Sequence, residues 1–127
     1  EVTFSTLIRA REAAGTVVLR AETAKALTSK DGSFKSRALF PFDGPRRTEF
    51  YELTLAANAR EDADAHAPGT IENLIVSRGA VSIHTPTATH TLSEGDAIVF
   101  EADVAHSYVN ESPREAVMYL VMTYASA

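Results

Sequence analysis

Among the side chains of types that bind metals or move protons, four stand out by their spacing, and they fall into two groups. Asp64, His66 and Glu72 lie within nine residues, and His106 follows His66 by forty. Imidazole nitrogens and carboxylate oxygens together suit a divalent ion such as Zn, Mn, Fe or Ni. On a strand Asp64 and His66, two residues apart, point to one face. If the chain reverses at Pro68-Gly69, His66 falls opposite Glu72, and opposed residues share a face. Leu74 and Val76 continue that face, so the expected cluster projects polar groups into an apolar surface. Such groups are costly to bury unless paired or ligated. The other reading of the same residues is a pair of solvated loop carboxylates and a turn histidine.

The second group has the shape of a matching hairpin. Glu94-Gly95-Asp96 is a turn opening an apolar run, Ala97-Ile98-Val99-Phe100, and His106 starts the next run, with Tyr108 and Asn110 on its parity. Phe100, Tyr108 and Tyr119 are read as core or barrel lining and as the candidate ligand-contacting aromatics. His84 and His90 flank Thr85-Pro86-Thr87 with no acidic residue at matching spacing, and read as exposed turn histidines.

The elements that must hold these residues are short strands. From Ser36 onward we expect 36–40, 48–55, 62–66, 71–78, 80–84, 88–92, 97–100, 105–109 and 115–123. Pro41, Gly44-Pro45, Pro68-Gly69, Gly79, Pro86, Gly95 and Pro113 separate them. Short strands at near-regular spacing with Gly and Pro turns indicate an all-β sandwich or barrel. Asp31-Gly32, inside a polar run from Thr28 to Ser33, is a further turn whose flanks suit a hairpin. Before it, Phe4, Leu7 and Ile8 at helical spacing predict a short helix in residues 1–14, ended by Gly15.

Composition bounds the function. The chain has 127 residues, 45% of them hydrophobic, enough for one domain with its own core. Its net charge is −5 and its twelve Lys and Arg are scattered, Arg46-Arg47 alone being adjacent, so this segment lacks the basic stripe that grips nucleic acid. The absence of cysteine excludes disulfides and thiolate metal sites. Apolar runs are too short for a spanning helix, and the N-terminus has no signal-peptide pattern, so a cytoplasmic location is expected. Because the first residue is Glu1 rather than Met, we expect one module of a longer protein.

Both motifs resemble those of the cupin superfamily. The first runs Asn58, five residues, Asp64-Ala65-His66, five residues, Glu72, six residues, Gly79; the second runs Gly95, five residues, Glu101, four residues, His106, three residues, Asn110. Asn58 and Glu101 stand where that pattern has Gly and Pro, Asp64 stands where it has its first His, and the gap to Glu72 is one residue longer. The resemblance implies a double-stranded β-helix, or jelly-roll barrel, with a short N-terminal helical or extended segment. It implies a metal set of Asp64, His66, Glu72 and His106, made harder and more anionic by the aspartate. Leu39–Gly44, Glu49–Leu55 and His66–Thr70 are similar to the C-terminal cupin of XRE-family transcriptional regulators, which join a helix-turn-helix domain to a small-molecule sensor. That resemblance implies an effector in the barrel, DNA bound only through a domain absent from this chain, a homodimer, residues 1–14 as a connector and residues 15–127 as the cupin domain. The alternatives are a small metal-dependent enzyme (oxygenase, isomerase or lyase) and a dimerisation barrel with an empty cavity.

Overall fold

In the large sheet, eight-residue strand β5 (Ile71–Arg78) alternates as far as Ser77: Glu72, Leu74 and Val76 are buried, with half-buried or exposed residues between them. That is the pattern of a strand with one face on a core. The same alternation recurs in β3 (Thr48–Leu55), where Leu53 and Leu55 are buried, and in β10 (Ala116–Thr123), where Met118, Leu120 and Met122 are buried. The computed structural model describes residues 18–40 and 48–125. The helix expected in residues 1–14, the boundary at Gly15 and the Arg46-Arg47 pair lie outside the described residues.

The remaining strands are β1 (Ala26–Thr28), β2 (Phe34–Ala38), β4 (Ala59–Ala63), β6 (Val81–His84), β7 (Thr89–Leu92), β8 (Ala97–Glu101) and β9 (His106–Asn110). They form two antiparallel sheets: a large one in the order β1-β2-β3-β10-β5-β8 and a small one in the order β4-β9-β6-β7. From β3 onward the chain passes from sheet to sheet, β6 and β7 sharing the small one. This is the jelly-roll arrangement that the resemblance of the two motifs implies. The only helical element among the described residues is one 3-10 turn, Ala21–Thr23, and none is long and apolar enough to cross a membrane. The core lies between the sheets, with Leu53, Leu55, Leu74, Val76, Met118 and Leu120 facing Val81, Ile83, Leu92 and Tyr108.

The expected turn at Asp31-Gly32 joins β1 to β2, and most expected strands fall within two residues of their observed bounds. One strand does not. The run expected at 62–66 is instead β4, three residues earlier, and it pairs with β9 in the small sheet rather than with β5. Asn58, with φ 54°, makes the left-handed turn that launches it; Asn tolerates this conformation better than most residues, so it does the job of the Gly that the motif has there. Two features hide β4 in sequence. Its small inward residues, Ala59 and Ala63, give little apolar signal, and charges stand on both of its faces. The hairpin that would set His66 opposite Glu72 is therefore not formed. Both edges of β5 are already occupied, by β10 and β8.

Two residues hold one end of the barrel, around the β9–β10 turn. Asn110, 1% exposed, donates from Nδ2 to the carbonyls of Leu55 (3.2 Å), Ala56 (3.1 Å) and Arg114 (2.8 Å), and accepts at Oδ1 from Ser112 N (3.0 Å) and Ser112 Oγ (2.9 Å). It thus pins the β9–β10 turn to the end of β3. Gly79, at φ 83°, turns β5 into β6 where an added Cβ would stand 2.9 Å from the Glu115 carbonyl oxygen. A side chain there is excluded by both conformation and space.

Replacing Asn110 by Ala removes the amide donor to the Leu55 and Ala56 carbonyls, while Arg114 O keeps Ser112 Oγ, and a buried carbonyl left unpaired costs about 1–3 kcal/mol. The expected outcome for Asn110→Ala is a loss of about 2–4 kcal/mol in urea unfolding at unchanged m-value. A change within about 0.5 kcal/mol contradicts the pinning role.

Candidate metal centre

The side chain around which the site is built is Glu72. It enters the core from β5 with no exposed surface, and an ionised carboxylate there needs compensating partners. Three are present. His66 Nε2 lies 3.1 Å from Glu72 Oε2, His106 Nε2 lies 3.1 Å from the same oxygen, and the Tyr108 hydroxyl donates a hydrogen bond to Oε1.

Each partner comes from a different piece of chain. His106 is the first residue of β9 and faces inward, beside Ala63 of β4. Tyr108, two residues on, shares that face. His66 comes from the β4–β5 loop, which is laced to the β8–β9 loop. His66 N donates to Ala102 O (2.9 Å), Ala102 N donates to Thr70 O (2.8 Å), and Gly69 N donates to Asp103 Oδ2 (3.2 Å). Thr70, fully buried, closes the turn through Oγ1 to Ala67 O at 2.7 Å. The Pro68-Gly69 turn is therefore the crossing from one sheet to the other, and it brings His66 to Glu72 without strand pairing.

The His106 ring has a defined tautomer. Its Nδ1 is 2.9 Å from the Val104 carbonyl, which can only accept, so Nδ1 carries hydrogen. In neutral His106 the Nε2 lone pair thus points at Glu72, and the contact is favourable only when the ring is protonated or a cation lies between the two. Burial opposes the charge on His106, but the hydrogen bond to Glu72, the bond to Val104 and the Glu72 charge outweigh it and hold its pKa above the ordinary imidazole value. Burial first, then the Glu72 charge, pushes the Tyr108 hydroxyl far above the usual phenol range, so it stays a neutral donor.

The donor set fits a divalent ion. One ligand atom each from His66, Glu72 and His106 lie within 4.8 Å of one another. Neighbouring ligands at about 2.1 Å from one ion stand about 3.0–3.4 Å apart, which matches both 3.1 Å contacts. The second nitrogen of His106 and the second oxygen of Glu72 are both held by the protein, as ligating groups usually are. Two imidazoles with one carboxylate leave further positions open.

Of the other candidates, Phe100 pairs in register with Glu72 and sets its ring edge-on to His106 at 5.1 Å. Asp64 is exposed, and its carboxylate is not one of the converging ligands; β4 ends at Ala63, so the two-residue strand rule does not align it with His66. Tyr119 lies on the outer face of the large sheet, 37% exposed, its hydroxyl donating to Glu52 Oε2 at 2.8 Å. There it lines a shallow apolar groove of about 380 Å³ with Ile75, Val99 and Val121. His84 and His90 stand apart at the β6–β7 hairpin, His90 exposed.

A neighbouring polar group has no counterpart in the sequence reading. Glu49 accepts hydrogen bonds from Tyr51 OH (2.8 Å) and Tyr124 OH, and in register it is separated from Glu72 only by Met122. Its inward aim was legible, because it shares parity with Leu53 and Leu55.

Residues 51–122 match the Cupin_2 cupin-domain family. The HTH-type transcriptional regulator SutR of Escherichia coli (strain K12) is 28% identical over 87 residues, covering 68% of this chain and 49% of SutR. The chain thus spans about half the length of the curated relative it matches. The Cupin_2 domain of an XRE family transcriptional regulator from Enterobacter cloacae superposes with a TM-score of 0.69 at 24% identity, covering 74% of this chain and 99% of that one. The polyketide cyclase RemF from Streptomyces resistomycificus superposes equally well, TM-score 0.69 at 18% identity, over 87% of this chain and 80% of that one.

With metal stripped, the raised pKa of His106 makes stability depend on pH. A group whose folded pKa lies above its unfolded value of 6.5 contributes fully below about pH 6.5, and the contribution is lost as pH rises through the folded value. Thermal unfolding of chelator-treated protein should therefore show a midpoint that falls as pH rises above about 6.5. In His106→Gln that fall should be largely abolished, and an identical profile in both proteins contradicts the assignment.

Proposed function

The chain belongs to the cupin domain family, and from that premise we propose that it is the effector-sensing domain of a helix-turn-helix transcriptional regulator of the XRE kind, with a divalent metal in its barrel. The observation that carries this reading is the convergence of His66 and His106 on the buried Glu72 carboxylate. The likeness to SutR supports the regulatory context. On this reading DNA is contacted through a domain outside this chain, residues 1–14 connect to it, residues 15–127 form the sensor, and the protein works in the cytoplasm, where its operator is. The exposed apolar outer face at Phe50, Ile75, Val99 and Tyr119 supports a homodimer, the assembly that suits two operator half-sites.

His66, Glu72 and His106 would hold the ion, and Asp64 would stand at the rim of the loop. Zn, Mn, Fe and Ni all accept this donor set. Once bound, such an ion supplies a Lewis-acidic centre that grips an oxygen or nitrogen of a small effector. The protein side of recognition is then simple. Phe100 walls the site beside His106, Tyr108 fixes Glu72, and the Tyr51 and Tyr124 hydroxyls on Glu49 offer polar contacts across β10. Binding can report to a DNA-binding domain only to the extent that the effector favours one of two conformations.

A second reading is a metal-dependent cupin enzyme. It is favoured by the three-residue donor set, which leaves ligand positions open, and by the shared fold with the cyclase RemF.

Elemental analysis of protein purified without chelators should find about one divalent ion per chain, and Glu72→Gln or His66→Ala should lower metal affinity by at least the 10–100-fold typical of disturbed ligand support. A folded wild-type protein that takes up no divalent ion contradicts the metal reading. For the regulatory reading, operator affinity of the full-length protein should change about 5–150-fold between metal-loaded and metal-stripped forms, the usual range of allosteric coupling. Unchanged affinity, with turnover of a small substrate by the loaded protein, favours the enzyme.

A further inference from the structure

Glu72 has two oxygens, and they are not equivalent. Oε2 faces both imidazoles at 3.1 Å, while Oε1 receives the Tyr108 hydroxyl. We infer that Tyr108 is a positioning residue which occupies Oε1 and so compels Glu72 to bind a metal through Oε2 alone. The inference rests on the metal reading above and adds a role for a residue that is not itself a ligand there.

The tyrosine is built to hold that pose. Its ring is 4% exposed, stacked on Phe34 of β2 with centroids 6.1 Å apart and planes 12° from parallel. Its other side meets the His106 ring edge-on at 5.6 Å and 88°. On β9 it is flanked in register by Glu61 of β4 and Ile83 of β6, so a strand lies on either side. The hydroxyl has little room to leave Oε1 without breaking these contacts. It also lies 3.5 Å from His106 Nε2, a secondary contact too long to compete with the bond to the carboxylate.

The consequence concerns the number of open positions. A carboxylate can grip an ion through one oxygen or through both. With Oε1 held by a phenol, the protein supplies three ligand atoms and leaves the rest of the shell to an effector or water. Without the phenol, Oε1 is a buried acceptor lacking a donor, and turning towards the ion is its nearest relief. That movement fills a position the effector would use, and favours larger, oxygen-preferring ions. Tyr108 therefore acts on both metal preference and ligand access.

The test uses Co2+ as the metal, whose visible bands report coordination number, and azide as the ligand for open positions. Wild-type protein loaded with Co2+ should bind azide with a clear band shift. Tyr108→Phe keeps the ring and its stacking but removes the donor. It should hold Co2+ about 10–100-fold more weakly, as loss of an outer-shell partner does. Its bands should indicate a higher coordination number, and its azide response should be reduced by about tenfold or lost. Wild-type affinity, bands and azide response in Tyr108→Phe overturn the inference while leaving the metal reading intact. Failure of the folded wild type to take up Co2+ overturns both together. If Tyr108→Phe does not fold, Phe34→Leu loosens the stacking instead. A weakened azide response in that variant supports the role, and an unchanged one overturns it.

Discussion

A carboxylate with no exposed surface is the constraint that the rest of this structure serves. Removing a charge from water costs several kcal/mol, and only nearby donors or an opposite charge offset it. Glu72 meets a phenol on one oxygen and two imidazoles on the other, and these come from β9 and from the β4–β5 loop. No buried side-chain polar atom among the described residues is without a hydrogen-bond partner, so the compensation extends through the core.

The barrel topology is what makes this compensation reachable. Glu72 lies in the large sheet and His106 in the small one, and only face-to-face packing brings them together. His66 belongs to neither sheet. Its place depends on the backbone bonds that tie its loop to Ala102, and on the Gly69 turn, where an added Cβ would stand 2.6 Å from the Ala125 Cβ. The chain beyond β10 therefore packs against the same loop that carries a candidate ligand. Tyr124, next to that contact, reaches Glu49 on the inner face. The candidate site, its loop and the end of the barrel thus pack as one continuous stretch, which suits a sensor as readily as a catalyst.

Two imidazoles and one carboxylate are compatible with either role, because what separates a sensor from an enzyme is what happens after a ligand binds. A sensor must convert binding into a population shift. An enzyme must stabilise a transition state more than the bound ground state. The polar groups near the centre, Tyr51, Tyr124 and Glu49, and the aromatic ring of Phe100 give its surroundings a mixed polar and apolar character.

Much of this was legible in one dimension. Alternation along β3, β5 and β10 determined the strands and their buried faces. The Gly and Pro turns determined where they end, and the likeness of the two motifs to the cupin pattern pointed to the barrel. The residue types at His66, Glu72 and His106 determined that metal chemistry was available. Tertiary structure decided the rest. Asp64 has the right chemistry two residues from His66, but β4 stops at Ala63, so nothing in the local chain aims it inward. His66 meets Glu72 through a crossing between sheets rather than across a hairpin, because both edges of β5 were already paired. Tyr119 faces outward because its parity in β10 opposes that of Met118 and Leu120. Periodicity and spacing act along the chain, whereas a buried charge is satisfied by whatever the packed sheets bring to it from far away in sequence.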